Sequence, residues 1–242
     1  MKRYISTHEK GIDEFIGMLE ENRYLIPSFQ RDFIWEKNDI LKLWDSIYNF
    51  YPVGSILCWD TDIKLNIHRR PGGNYLESND ASSVKPEKKI YILDGQQRAT
   101  SILVAVSGGN GIIRDRKDID YALYFDAANG IFFFADEYKK RKREIDPDFL
   151  VSLKDIHHTG SAAFKSAIKK SLKNPGVENN IKQLQNVFKN YKLPLVYVKG
   201  FDIPDVSRIF ERINQEGKDL KSLDIMIART FRNYQYPVEE DL

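Results

Sequence analysis

The run from Lys89 to Thr100 constrains this chain more than any other stretch, because its hydrophobic period changes in mid-course. Ile90, Tyr91, Ile92 and Leu93 are consecutive, apolar and β-favouring, which predicts a buried strand. From Gln96 the apolar positions move to helical spacing, at Ala99, Ile102, Leu103 and Val106. A strand therefore stops, the backbone turns at Asp94-Gly95, and a helix begins. Asp94, Gln96, Gln97 and Arg98 collect at that junction. α/β sheets place ligands beyond the carboxyl ends of their strands. The free amides and the positive dipole end of a helix also favour an anion there. Two readings stand side by side. Asp94 can be no more than an N-cap, Gly95 a turn residue, and the glutamines a solvated first turn. Alternatively, acid, glycine, two amides and a guanidinium in one run make an anion or phosphate site.

A chain of 242 residues, 42% hydrophobic and 12% aromatic, has the material for one large domain or for a domain with an appendage. Its formal net charge of +2 excludes a strongly basic wrapper of nucleic acid but permits a local basic groove. Cys58 is the single cysteine, so no internal disulfide can form. With no secretory apolar segment at the N-terminus, that predicts a cytoplasmic protein. No apolar run approaches the roughly 20 residues of a membrane helix, so no membrane partner is expected.

Ahead of the junction, Ile12, Phe15, Ile16 and Leu19 mark a short amphipathic helix. Tyr24 to Phe29 reads as extended, with Pro27 restricting it to an edge or a turn. Gln30, Arg31, Asp32, Phe33, Ile34 and Trp35 then mix polar and aromatic groups densely. Asn38 is a candidate N-cap for a helix whose stripe is Ile40, Leu43, Trp44, Ile47, Tyr48 and Tyr51. Such a stripe reads as core, and Pro52 ends it. Val53 to Trp59 is a second apolar strand.

Residues 61–88, rich in Gly, Pro, Ser and Asn, read as a mobile surface excursion. Ile119–Phe125 and Ile131–Phe134 predict a hairpin turning near Asn129-Gly130. Lys139 to Arg143 is a basic run, read as a solvated face or, in the minority reading, as a contact to nucleic-acid phosphates. Beyond residue 150 the chain becomes mostly helical, with Phe164, Ile168 and Leu172 marking one helix, Ile181, Leu184 and Phe188 another, and a late strand at Leu193–Val198. A helix bearing Val206, Ile209, Phe210 and Ile213 stops near Asn214. A last helix follows, capped by Ser222 and carrying Leu223, Met226, Ile227 and Phe231.

Three segments in this order carry a resemblance. They are Ile26-Pro-Ser-Phe-Gln-Arg31 with Trp35; Asp94-Gly-Gln-Gln-Arg98; and Phe210-Glu-Arg-Ile-Asn214 with Gly217, Leu220 and Asp224. Together they resemble the ParB-like N-terminal domain of GmrSD-type modification-dependent restriction proteins, over roughly residues 5–235. Tyr51-Pro-Val-Gly-Ser55 fits the same pattern, and Lys221 before Ser222 is a small departure from it. The resemblance implies an α/β fold: a ParB/sulfiredoxin-like mixed-sheet core with a helical C-terminal part. The expected division is a core over 1–145 and a mainly helical part over 146–242 that completes the pocket.

The resemblance also implies binding and hydrolysis of a nucleoside triphosphate in phage defence, controlling the cutting of modified DNA. Arg98 would offer phosphate oxygens its fork of donors. Gln96 or Gln97 would orient the attacking water. Asp94 would act as base or hold a magnesium ion, and sequence leaves both roles open. Gln30 and Arg31 would form a second wall, Gly95 the turn, and Asn214 and Asp224 the closure from the helical side. No Walker-type glycine loop is present.

In relatives a His-Asn-His-type nuclease follows. His8, His68, His157 and His158 make no such arrangement here, so the nuclease is expected in another domain or a partner chain. Two alternatives accompany this reading. One is a non-catalytic sensor of nucleotide or modified DNA, with Tyr24, Phe33 and Trp35 stacking on a base unless they are core. The other is a ParB-like DNA endonuclease using Asp94 and Asp224.

Overall fold

A computed structural model of the chain describes residues 2–28, 30–63, 65, 67–71, 75–77, 89–108, 119–141, 145–157, 165–166, 168–169 and 174–213. Among them a seven-stranded mixed sheet carries the fold. Its strands are β1 (Tyr4–Gly11), β2 (Tyr24–Pro27), β3 (Ile56–Thr61), β4 (Ile67–Arg69), β5 (Tyr75–Glu77), β6 (Lys89–Asp94) and β10 (Lys192–Lys199). In space they lie in the order β1-β10-β3-β6-β2-β4-β5. β6 is central: it runs antiparallel to β3 and parallel to β2. β7 (Leu123–Asp126), β8 (Ile131–Phe134) and β9 (Leu150–Ser152) form a separate three-stranded sheet, and β7–β8 is the hairpin the sequence predicts.

The alternation of β6 shows how the layers are built. Ile92 faces one side, while Tyr91 and Leu93 face the other. The first side meets α1 (Ile12–Glu20), α2 (Lys37–Tyr48), α3 (Gln96–Ser107), α5 (Leu153–His157) and α6 (Pro175–Asn190). α4 (Ala135–Arg141) follows β8 directly. The second side packs Leu25, Trp59, Tyr91 and Leu93 against Ile203 and Val206 of α7 (Ile203–Ile213). A strand flanked by apolar layers on both sides needs an unbroken apolar run, which is what residues 90–93 supply.

α1 buries Ile12, Phe15, Ile16 and Leu19, the stripe expected of it. α2 buries Ile40, Leu43, Trp44 and Ile47, and Trp44 stacks on Phe188 of α6 with centroids 5.8 Å apart. The predicted stripe runs three residues too far: Tyr48, half-buried, is the last residue of the helix, and Tyr51 lies beyond it and is exposed. The chain leaves the helix after Tyr48, with Phe50 at a positive φ of 57°. Asn38 is not the N-cap. Glu36 is, in a reciprocal capping box with Asp39, which places Asn38 inside the first turn.

Three further expectations shift. Val53 to Ser55 is not strand, because Gly54 takes φ +83° and β3 begins only at Ile56. β2 is not an edge: its first half pairs with β6 and its second half, Ile26 and Pro27, with β4. Pro27 closes the strand into the loop over the junction, so its missing donor falls where pairing ends. Residues 61–88, expected to be a surface excursion, contribute β4 and β5 to the sheet. The predicted helices around Phe164–Leu172 and Ser222–Phe231 lie wholly or largely outside the described residues.

Candidate functional site

The predicted strand–turn–helix is present. β6 ends at Asp94, Gly95 occupies the left-handed region at φ +87°, and α3 starts at Gln96. A side chain at Gly95 would be strained by that φ and would place its Cβ 3.1 Å from Ile56 Cγ1 and 3.3 Å from Ile56 Cα. Glycine is therefore required by conformation and by the neighbouring strand. It also leaves α3 without a side-chain N-cap, and no acid stands in the helix's first turn. The positive end of the helix dipole is left uncompensated by its own first turn, which suits an anion.

Asp94 and Arg98 are the ionic groups at this opening. Arg98 Nη2 donates to Asp94 Oδ2 at 3.3 Å, and Nη1 donates to the Val53 carbonyl at 2.8 Å. Asp94 is half-buried with an accessible carboxylate, while Arg98 lies flatter against the protein. Gly54 makes room for that guanidinium: a Cβ there would lie 2.2 Å from Arg98 Nη1. The Tyr51–Ser55 segment thus belongs to the same construction as the Asp94–Arg98 turn.

Gln96 and Gln97 do something different from what the sequence suggests. Both are buried. Gln97 Oε1 accepts from the backbone N–H groups of Ile34 (3.0 Å) and Trp35 (3.3 Å), and its Nε2 donates to the Asp32 carbonyl at 3.0 Å. Gln96 Nε2 donates to the Arg31 carbonyl at 2.7 Å. Neither forms a solvated first turn. The carboxamides bind the 31–35 backbone and fix that loop over the head of α3. Gln30 is also buried and donates to the Ile92 carbonyl, pinning the loop to β6 from the other end. Arg31 leaves its side chain exposed while its carbonyl accepts from Gln96 and Arg69.

Arg69 escaped the sequence analysis. Only 3% exposed, it lies under the loop and donates to Asp32 Oδ1 (3.1 Å), the Gln30 carbonyl (3.2 Å), Gln96 Oε1 (3.2 Å) and the Arg31 carbonyl. Burying a guanidinium is costly unless it is hydrogen-bonded, and here the bonds from Nη1 and Nη2 join β4, the loop and α3. Nothing in a polar stretch singles out one arginine. The pairing of β4 with β2 brings it here.

The aromatic residues resolve toward the core. Tyr24 is fully buried, its hydroxyl 2.6 Å from that of Tyr197. Phe33 is buried and meets Tyr121 edge-on at 6.3 Å. Trp35 is half-buried and packs on the same core. As placed, Tyr24 and Phe33 present no face to a base. Asn214 and Asp224 lie outside the described residues. Among the described residues, no three His, Cys, Asp or Glu side chains gather as a metal site. His157 bridges α5 to Asp13 (2.6 Å) and Glu20 (3.4 Å) of α1, away from the turn. No helix among the described residues is long and apolar enough to cross a membrane.

One family model matches most of the chain. The family model for the N-terminal domain of GmrSD restriction endonuclease matches residues 12–231. The uncharacterized protein MJ0686 of Methanocaldococcus jannaschii is 23% identical over 254 aligned positions, covering 94% of this chain and 42% of that protein. The chain therefore spans less than half the length of this relative.

Proposed function

This chain belongs to the family of GmrSD restriction endonuclease N-terminal domains, and from that premise we propose that it binds and hydrolyses a nucleoside triphosphate at the Asp94–Arg98 turn. It works in a restriction system, where the hydrolysis controls DNA cleavage by a nuclease domain or partner chain in defence against phage. One observation carries the reading above the others. An uncapped helix start, a half-exposed carboxylate and a guanidinium held by Val53 share one opening at the end of the central strand.

The phosphates sit against the amides of Gly95 to Arg98, with Arg98 and the exposed Arg31 as counter-charges. Water attacks the γ-phosphorus, the bond to the β–γ bridging oxygen breaks, and inorganic phosphate and the diphosphate leave. Asp94 takes the proton of the attacking water. A magnesium ion also fits this opening with Asp94 as its single protein carboxylate, since magnesium is commonly held by one or two carboxylates and substrate phosphates. Bound there, it would neutralise phosphate charge. Gln30, Gln96, Gln97 and Arg69 act as positioning residues that hold the loop wall. Asn214 and Asp224, outside the described residues, are assigned to the same pocket by the family resemblance alone.

A second reading, nucleotide sensing without turnover, draws support from the two glutamines. Their carboxamides bind the loop instead of presenting themselves to water. Phosphate release from each triphosphate, with and without modified DNA, separates the two. Hydrolysis lost in Asp94→Asn with binding retained supports catalysis, because a base or metal ligand acts mainly on the transition state. Nucleotide binding with no phosphate release under any condition leaves the sensor.

A further inference from the structure

A cavity of about 300 Å³ lies on the central sheet, with none of residues 94–98 in its lining. Ile90 forms part of its floor, four residues before Asp94 on the same strand, or about 13 Å away along an extended backbone. Met18 makes one wall, and past it the face formed by alternate residues of β1 is open. β1 is the sheet's edge, so that side opens to solvent.

The lining is chemically mixed. At the floor, the Tyr197 hydroxyl pairs with that of Tyr24 and its ring is held edge-on by His8 at 5.3 Å. At the rim, the ring of Tyr4 is 48% exposed, with Lys199 Nζ 5.9 Å from its centroid. Asp60 accepts from Lys199 through Oδ2 at 3.1 Å, while its Oδ1 is buried with no hydrogen-bond partner among the described residues. A buried acceptor without a donor is costly. Asp60 lines the cavity, so its carboxylate is the acceptor offered to an N–H that enters.

These features exclude two ligand classes and favour a third. A bare anion gains little, because Lys10 is already paired with Glu14 at 2.5 Å and Lys199 with Asp60. A purely apolar ligand would strand the hydroxyls and the carboxylate. A planar heteroaromatic ring with its own donors and acceptors satisfies both: Tyr4 stacks on it, Asp60 accepts its N–H, and the Tyr197 hydroxyl meets an acceptor. The volume is at the lower end for ligand sites, enough for a base and too small for a triphosphate. We propose that this cavity binds a nucleobase, either in a free nucleoside or swung out of a DNA strand. The site shares no residue with the Asp94 turn and stands whether or not that turn hydrolyses nucleotide.

The test uses two probes on the purified chain: the four deoxynucleosides, followed by calorimetry and tyrosine ring shifts, and a DNA duplex carrying 2-aminopurine opposite an abasic site. Tyr4→Ala removes an exposed ring and leaves the fold intact, and Asp60→Asn removes the acceptor charge. Deoxynucleoside binding weakened about tenfold in both variants, the scale of one lost base–aromatic stack, and unchanged in Arg98→Ala, supports a free-nucleoside site. If only the duplex probe responds, with 2-aminopurine fluorescence changing on addition of the natural chain and not of Tyr4→Ala, the base comes from DNA. No response from either probe, or one that survives Tyr4→Ala and is lost only in Arg98→Ala, overturns the proposal. Hydrolysis unaffected by Arg98→Ala would instead sink the reading of the Asp94 turn and leave this one standing.

Discussion

Arg98 and Arg69 are the same residue type in opposite roles, and burial separates them. Arg98 lies at the opening with one carboxylate and one carbonyl as partners, so its guanidinium can exchange a weak contact for phosphate oxygens. Arg98→Ala should abolish triphosphate binding, measured by calorimetry, with an unchanged far-UV spectrum. Arg69 is sealed under the loop, where its loss would leave the Gln96 side chain and loop carbonyls unpaired. An unsatisfied buried group costs about 1–3 kcal/mol. Arg69→Met should therefore destabilise the chain by roughly 2–4 kcal/mol in urea titrations and loosen the 31–35 loop even in the fraction that folds. Gly54 belongs at this scale too. Gly54→Ala forces a side chain into the left-handed region at about 1–2 kcal/mol and drives Arg98 off Val53. Triphosphate affinity should fall with it, and an unchanged dissociation constant would show that Arg98 does not act from its present position.

At the level of elements, the pairing of β2 with β6 and of β10 with β3 brings Tyr24 against Tyr197. Burial raises both phenol pKa values, Tyr197 to about 12 and Tyr24 further. A folded-state pKa above the unfolded value near 10 gives stability that is complete below pH 10 and lost as pH rises above it. For the fully buried Tyr24 that loss approaches about 1.4 kcal/mol per pH unit. Urea midpoints should fall steeply between pH 10 and 11 in the natural chain. The fall should be shallower in Tyr24→Phe, with a residual slope from Tyr197 and from Tyr91, which burial also raises to about 12. The loop over α3 obeys a similar logic of mutual dependence. Gln97 alone makes three bonds to it, so Gln97→Leu should release the loop, seen as faster amide exchange at Ile34 and Trp35.

For the whole molecule, β10 decides what can be cut away. It comes from the part of the chain expected to be mainly helical, yet it sits between β1 and β3 and pairs with both. A fragment ending at residue 145 would leave β1 without a partner and β3 as a bare edge. It would also lose α6, whose Leu184, Val187 and Phe188 are buried against the rest. Such a fragment should fail to give a dispersed amide spectrum, whereas the full chain should give one. Cleavage is the other whole-molecule matter. The purified chain should leave modified plasmid intact, and nicking abolished by Asp94→Ala would move the nuclease role onto this domain.

The order of residues along the chain determined the pieces that depend on local patterning. The apolar run at 90–93 followed by helical spacing from Ala99 reads as a strand feeding a helix, and Gly95 between them is the residue best suited to the left-handed turn. The stripes of α1, α2 and α6 and the hairpin turning near Asn129-Gly130 were legible for the same reason: their period comes from contacts a few residues apart. Folding in three dimensions decided what the polar groups do. Gln96 and Gln97 look like a solvated first turn until a loop more than sixty residues earlier in the chain closes over them. Arg69 is one basic residue in a polar stretch until β4 pairs with β2. A polar side chain can satisfy itself with water or with backbone equally well, and only the packing of distant segments removes the water and makes the choice.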